Sequence, residues 1–347
     1  MTSATDTMRA MVLERFGEPL QLRQLPIPRP GPGQVLVKVA ACGLCGSDLE
    51  ISAGKLKGPQ VPLIMGQEPA GTVAALGPGV TNVQAGDHVV VALYVTCGQC
   101  VYCRTNRDNL CVNLVGRPGF ELDGAFAEYF VIPARNLFPI SPSVPLEKVA
   151  AMSDAVATSW HAVRRQAQVA PGQTVVLLGV GGLGIHATQI VKLSGARAVA
   201  LDRMPEKLAA AQEFGADLAL NAGDDDAIAR VQDLTSGLGA DAVLDFVASP
   251  ETVRLGLQLL KRDGVLVLVG LTPDRPFDVD PQEMVLSEKR IVGSRTSSKQ
   301  DLVEAIRLVE EGKITPVVSQ HYSLEDVNQA LDALRRGEAV GRTVVVP

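Results

Sequence analysis

No run of eighteen apolar residues occurs in this 347-residue chain, which excludes an ordinary membrane-spanning helix. The N-terminal stretch MTSATDTMRAM lacks the apolar centre of a secretory signal. Internal repeats and low-complexity tracts are missing as well. So is any excess of positive charge: 32 Lys and Arg stand against 38 Asp and Glu, a net charge of −6. Nothing in that balance favours nucleic acid as a partner. Together these absences point to the cytoplasm. The first seven residues read as a disordered start, with Met8 a second candidate initiation site. In that compartment the six cysteines suggest metal binding or catalysis before disulfides. A chain of this length suits two domains.

What is present is most informative between Gln173 and Asp202. Thr174 to Leu178 is a valine-rich apolar run too short for a helix, as in a buried parallel strand. Gly179, Gly181, Gly182 and Gly184 follow at the spacing G-x-G-x-x-G. Leu183, Ala187, Ile190 and Val191 then recur at helical period, and Ala198 to Leu201 forms a second strand ending at Asp202. Each part has a use if a dinucleotide binds. Gly179 permits a tight turn, Gly181 lets backbone approach a pyrophosphate, and Gly184 lets the helix pack closely. The helix N-terminus offers free N–H groups and a positive dipole end. Asp202 lies 18 residues after Gly184. Its carboxylate can accept from a ribose diol and would repel a 2′-phosphate, which favours NAD over NADP. Leu183, Arg203 and Val269 complete the candidate cofactor contacts. A glycine-rich turn without a ligand is the competing reading, weakened by strand, turn, helix, strand and acid all falling in register.

From residue 9 to about 155 the chain reads as short strands punctuated by Gly and Pro. Val35, Val37 and Val39 alternate with Leu36, Lys38 and Ala40, after an extended segment carrying Pro26, Pro28, Pro30 and Pro32. Gly71–Leu76, His88–Leu93 and Ala127–Ile132 are further strand candidates. Periodicity turns helical from Leu146 and becomes strand–helix–strand from Thr174. Strands near Leu218–Leu220, Ala242–Phe246 and Val265–Val269 extend that sheet. Beyond Gly293 come two amphipathic helices, marked by Leu302, Ile306 and Val309 and by Val327, Leu331 and Leu334. Ser323 and Asp326 read as a capping box for the second. A strand from Thr343 to Val346 closes the chain, and these last elements most simply return to the first domain.

The motif Cys97-x-x-Cys100-x-x-Cys103-x7-Cys111 puts four thiols within 15 residues of a Gly-, Asn- and Arg-rich loop. Four protein ligands with no open position is the pattern of a structural zinc. Such a metal would hold a lobe that has little core of its own. Free or paired loop cysteines are the alternative.

Cys42-Gly-Leu-Cys45-Gly-Ser47-Asp48, Gly66-Gln67-Glu68-x-x-Gly71, the four-cysteine lobe and the glycine-rich turn together resemble the zinc-dependent medium-chain alcohol dehydrogenases, in order and over essentially the whole chain. The resemblance implies an α/β protein. A GroES-like β-rich catalytic domain would cover 1–155 and 295–347, with the zinc lobe at about 95–113. A doubly wound parallel-sheet Rossmann domain would cover 156–294, with the active site in the cleft between the domains. It implies hydride exchange between an alcohol carbon and NAD, a small-molecule alcohol or carbonyl substrate, and a homodimer or homotetramer. Family dimers pair their Rossmann sheets edge to edge, and Val265–Arg275 is the candidate edge. Residue by residue, Cys45 and Asp154 match two ligands of the catalytic zinc. Ser47 matches the hydroxyl that takes the alcohol proton, and Thr158 matches a residue bordering the nicotinamide. Glu68 matches a carboxylate that can approach the metal, and Arg342 resembles an arginine near the pyrophosphate. Cys42 has no ligand role and reads as a buried small apolar residue. Leu93, Tyr94 and Trp160 suggest an apolar pocket for a medium or aromatic alcohol. Arg295 is a candidate partner for a substrate anion, or a surface salt bridge.

Two departures matter. Gln67 stands where the family carries its histidine ligand, and Glu50 stands where many members have a relay histidine. The four histidines, His88, His161, His186 and His321, match no ligand position. An amide oxygen is a weaker, neutral donor. With Cys45, Asp154 and Glu68 the site would carry up to three negative charges, making the metal a poorer Lewis acid. Three outcomes are open at this level. Zinc binds through Cys45, Asp154 and either Glu68 or Gln67. Or the site is empty, with Gln67 and Glu68 hydrogen-bonding. Or Gln67 is an introduced, inactivating replacement. Glu50 is either a proton relay or a solvated charge. The rival classes are a zinc-free NAD(P)H reductase of activated double bonds and an impaired chain that still binds nucleotide.

Overall fold

A computed structural model of the chain describes residues 6–273 and 275–347. The chain divides into two compact units. The first runs to Asp154 and resumes over Ser298–Gly312 and Pro316–Pro347. The second holds Ala155–Ser297 and Lys313–Thr315. The return crossing falls at Ser298, where the sequence suggested 295.

The strands of the first unit are β1 (Thr7–Leu13), β2 (Gln21–Pro26), β3 (Gln34–Leu44), β4 (Leu63–Ile64), β5 (Glu68–Leu76), β6 (His88–Val91), β7 (Tyr129–Pro133) and β8 (Leu137–Pro139). The second unit adds β9 (Thr174–Leu178), β10 (Arg197–Asp202), β11 (Leu218–Asn221), β12 (Ala240–Asp245), β13 (Leu260–Leu268) and β14 (Arg290–Gly293). The chain then returns to the first unit through β15 (Val318–Ser323) and β16 (Arg342–Val346). Thr7 already belongs to β1, and Asp6 accepts a backbone bond from Ile27 at 3.1 Å. Asp6 and Thr7 are thus ordered, against the disordered start expected over seven residues, and residues 1–5 lie outside the described residues.

In the first unit one sheet runs β15-β16-β3-β5-β6-β8, and a smaller one runs β2-β1-β4. β3 is long enough to serve two partners on one side. Its first half pairs with β7 and its last residues pair with β16, while β5 lies along the other side. Val35, Val37, Val39 and Cys42 are all buried in the core, so Cys42 behaves as the small apolar residue expected. The helix Lys299–Glu310 buries Leu302, Ile306 and Val309 and starts on a formed capping box, Ser298 with Asp301. The box expected at Ser323 and Asp326 does not form. Those side chains bond each other at 2.6 Å and lead a 3₁₀ turn, Leu324–Asp326, ahead of the helix Val327–Arg335.

In the second unit the strand order is β11-β10-β9-β12-β13-β14, all parallel. β9, the valine-rich run, is buried at every residue because helices must cover both faces of a parallel sheet. This is a doubly wound sheet whose order reverses beside β9, the place where such sheets bind nucleotides. The edge assignment needs correction. β13 lies inside the sheet, between β12 and β14, so Val265–Leu268 is not an edge. The edge is β14, a four-residue strand that the sequence pattern did not single out.

Candidate active site and metal centres

Three strand ends meet in the first unit. β3 ends at Leu44 beside the start of β5 on one side and the start of β16 on the other. Cys45 follows at once. It has extended backbone and is the N-cap of the helix Gly46–Ser52, and its N–H donates to Asp48 Oδ2 at 2.9 Å. Glu68 opens β5 opposite Gly43. A Cβ on Gly43 would lie 3.1 Å from Glu68 Cβ and closer still to its carboxylate, so glycine there makes the room Glu68 needs. Arg342 opens β16.

These ends bring together a buried charge cluster. Arg342 Nε donates to Glu68 Oε2 at 3.0 Å, and its Nη2 donates to Glu68 Oε1 and to Asp154 Oδ2 at 2.6 Å each. The Arg342 and Glu68 side chains are 5% and 1% exposed, so nearly all compensation must come from within. Cys45 Sγ donates to Asp154 Oδ2 at 3.4 Å. Burial pushes the Cys45 thiol far up. Arg342 opposes that shift, while Asp154, Glu68 and Asp48 add to it. Burial also raises Asp48 to about 7, opposed by the Cys45 N–H. Asp48 is fully buried, and its Oδ1 has no hydrogen-bond partner among the described residues.

Donor atoms of Cys45, Glu68 and Asp154 all lie within 4.8 Å of one another. Tetrahedral zinc with a sulfur at ~2.3 Å and an oxygen at ~2.1 Å puts the two ligand atoms about 3.6 Å apart. The observed 3.4 Å from Cys45 to Asp154 is close to that value. With the Cys45 thiol deprotonated, three anionic ligands against Arg342 leave a net charge of −2, which a divalent cation removes. These residues therefore fit a metal. Gln67 is turned elsewhere: its Nε2 donates to Ser47 Oγ. Glu50 is half-buried, with Oε2 3.4 Å from Lys55 Nζ, so it is neither freely solvated nor without a cation.

The four-cysteine lobe passes the same test. Sulfur separations are 3.9 Å (Cys97–Cys103), 3.5 Å (Cys100–Cys103), 4.0 Å (Cys100–Cys111) and 3.6 Å (Cys97–Cys111). Four sulfurs at ~2.3 Å from a tetrahedral zinc stand about 3.8 Å apart. Backbone N–H groups of Cys97 and Cys100 point at Cys111 and Cys97 sulfurs, each at 3.4 Å. Backbone donors from Cys103 and Val112 lower Cys100 to about 6, while burial lifts Cys103 to about 12. Val101, Val112 and Val115 are exposed, so the lobe has little core of its own.

In the second unit the glycine-rich turn has the three properties a pyrophosphate needs. Gly179 has φ +86°. A Cβ on Gly184 would sit 2.0 Å from Gly179 O, so the helix Gly184–Leu193 packs directly on the turn. A Cβ on Gly181 would meet nothing nearer than Lys207 Nζ at 3.8 Å, which leaves that backbone open. Asp202 is fixed at the β10 tip. Oδ2 accepts from Val180 N at 2.9 Å, and Oδ1 accepts from Arg203 N at 2.8 Å and Met204 N at 3.1 Å. Val269 N donates to Asp245 O at 2.9 Å. Thr158 is buried in the helix Ala155–His161, which Ser159 ties to the turn by donating to Leu183 O at 2.9 Å. The turn thus fits a dinucleotide.

Some placements differ from expectation. Arg342, expected near a pyrophosphate, is buried with two of its nitrogens on Glu68 and Asp154. Leu93 and Tyr94 lie in the main core of the first unit, and Arg295 is exposed. Asp48 was missed as a neighbour of the cluster. Asp48 had a legible signal, an acid three residues after Cys45.

The chain matches two family models, "Alcohol dehydrogenase GroES-like domain" over residues 31–142 and "Zinc-binding dehydrogenase" over 182–311. It is 35% identical to an NAD-dependent alcohol dehydrogenase of Sulfurisphaera tokodaii, across 98% of this chain and 100% of that protein. Among solved structures, an NAD-dependent alcohol dehydrogenase superposes with a TM-score of 0.93 at 32% identity, covering 98% of this chain and 100% of that one. A cobalt- and zinc-bound thermostable alcohol dehydrogenase of Pyrobaculum aerophilum superposes with a TM-score of 0.89 at 33% identity, covering 99% and 100%.

The cluster makes a stability prediction. Arg342→Met leaves two buried carboxylates without their cation and should destabilise the first unit by about 3–5 kcal/mol. Denaturant unfolding of metal-free protein reads this out. A loss below about 1 kcal/mol would mean the carboxylates are protonated there and the ion pair is not formed.

Proposed function

The chain belongs to the zinc-dependent medium-chain alcohol dehydrogenase family, and on that premise we propose that it oxidises an alcohol to an aldehyde or ketone, and runs the reverse reduction, by hydride exchange with NAD(H). The observation that carries this is the buried donor cluster Cys45, Glu68 and Asp154 beside the Ser47 hydroxyl. When bound there, zinc supplies Lewis acidity to a substrate oxygen, and NAD supplies the hydride acceptor. Cys45, Asp154 and Glu68 are the proposed ligands, with Gln67 standing aside.

Ser47 takes the alcohol proton. Because Gln67 Nε2 donates to its oxygen, the Ser47 hydrogen is free to point away from Gln67. Glu50, on the same helix as Ser47 and paired with Lys55, is the next candidate acceptor. Thr158 borders the nicotinamide, and Asp202 takes the ribose diol and selects NAD. Three anionic ligands leave a weaker Lewis acid than a site with an imidazole. The substrate proposed is a medium or aromatic alcohol. A second reading, a metal-free reductase, draws support from Arg342, which already satisfies both carboxylates. Metal content separates them: two zincs per chain fit the dehydrogenase and one fits the reductase.

We also propose self-association as a dimer or tetramer through the second unit. β14 is a sheet edge, and Leu271, Val285 and Leu286 nearby in sequence are 67%, 75% and 67% exposed. Val285→Asp should shift the solution mass toward a single chain. A monomeric unsubstituted protein at micromolar concentration rules the proposal out.

Gln67→His adds an imidazole donor without changing net charge. Zinc affinity and NAD-linked alcohol oxidation should both rise, on the scale of about 10–100-fold. Cys45→Ser should abolish alcohol oxidation and spare NADH binding. If Gln67→His is no more active while Cys45→Ser is dead, Gln67 is a working residue suited to this chain's own substrate.

A further inference from the structure

The four-cysteine lobe does not stand alone. Asp108, in the turn just before Cys111, accepts a backbone bond from Lys299 at 3.1 Å, across 191 residues of sequence. Lys299 is the first residue of the helix Lys299–Glu310, and the Ser298–Asp301 capping box fixes where that helix begins. The lobe is thus latched to the helix start, which puts Lys299 next to it. Lys299 lines a cavity of about 240 Å³ together with Cys103, Asp108 and Phe138.

A half-buried ammonium in such a place must be offset by anions. Burial lowers its pKa, and the groups that raise it again are Asp108, Cys103 and Cys111, with Arg135 opposing them. Two of the three compensating groups are cysteines of the metal cluster. A divalent metal held by four thiolates carries two net negative charges. The other cations of the lobe, Arg104 and Arg107, are exposed, and Arg107 lies over the Tyr102 ring at 5.3 Å. Water and salt screen them. Arg135 donates to Thr96 O at 2.9 Å but is exposed as well.

We propose that Lys299 is the counter-charge of the four-cysteine metal site: its ammonium, on a residue whose backbone is latched to Asp108 and which lines one cavity with Cys103, offsets the charge of the tetrathiolate and slows metal loss. Lys299 is a positioning and electrostatic residue here, not a ligand. The proposal rests on metal binding by the lobe, so the experiment reads that first. Protein loaded with cobalt(II) should show the thiolate charge-transfer absorption of a four-sulfur site. Its absence would overturn metal binding by the lobe itself, and Lys299 with it. With the band present, its decay under a chelator gives the release rate. Lys299→Met should release metal about tenfold faster than the unsubstituted chain, and Lys299→Arg at nearly the unsubstituted rate. Lys299→Gln serves in place of Lys299→Met if the latter does not fold. Equal rates for Lys299→Met and the unsubstituted chain overturn the proposal. So does a Lys299→Arg variant as fast as Lys299→Met, because packing and not charge would then be at work.

Discussion

A guanidinium at 5% exposure must have its charge met inside the protein, and the first unit is arranged around doing that for Arg342. Glu68 accepts from two of its nitrogens and Asp154 from one. Each residue stands at the end of an element, which lets side chains from β5, β16 and the exit to the second unit converge on one point. Gly43 clears the space, and Cys45 enters because β3 ends there. The C-terminal strand brings the cation back across 274 residues to Glu68. Without β16 the two carboxylates would be buried without a cation.

That cluster and the four-cysteine lobe treat charge differently. In the cluster, three anionic donors face a built-in cation, so a divalent metal completes neutrality. In the lobe, four thiolates exceed what one metal offsets, and Lys299, half-buried on a helix distant in sequence, is the proposed counter-charge. Gln67 sits between the two designs. It gives its N–H to Ser47, and Asp48 Oδ1 is left unpaired although Asp48 is fully buried. Burial raises that carboxyl to about 7, opposed by the Cys45 N–H, by Arg342 and by Gln67.

Local spacing made much of this legible. The glycine turn, the four cysteines and the Cys45–Ser47 segment are short motifs whose chemistry follows from neighbours in sequence. The family resemblance brought Cys45, Glu68 and Asp154 together, but the place of Arg342 among them was not legible, because it lies 274 and 188 residues from its two partners and nothing local marks their meeting. β14 was passed over because Arg290–Gly293 is short and lies next to charged residues, so β13, more apolar, was taken for the edge. The pattern of Ser followed three residues later by Asp occurs at both Ser298 and Ser323. Only the first forms a capping box, since at Ser323 the chain enters a 3₁₀ turn and the two side chains bond each other instead. Pattern rules find candidates of this kind, and tertiary context chooses among them.

The central claim is that metal in the first unit is held at two places, by four sulfurs in the lobe and by one sulfur with carboxylate oxygens at Cys45, Glu68 and Asp154. Zinc-edge X-ray absorption on the fully loaded protein tests it. The expected result is two zincs per chain, an average of about 2.5 sulfurs per zinc with oxygen in the remaining shell, and no outer-shell imidazole scattering. A single zinc with four sulfurs, or an imidazole signature, contradicts it.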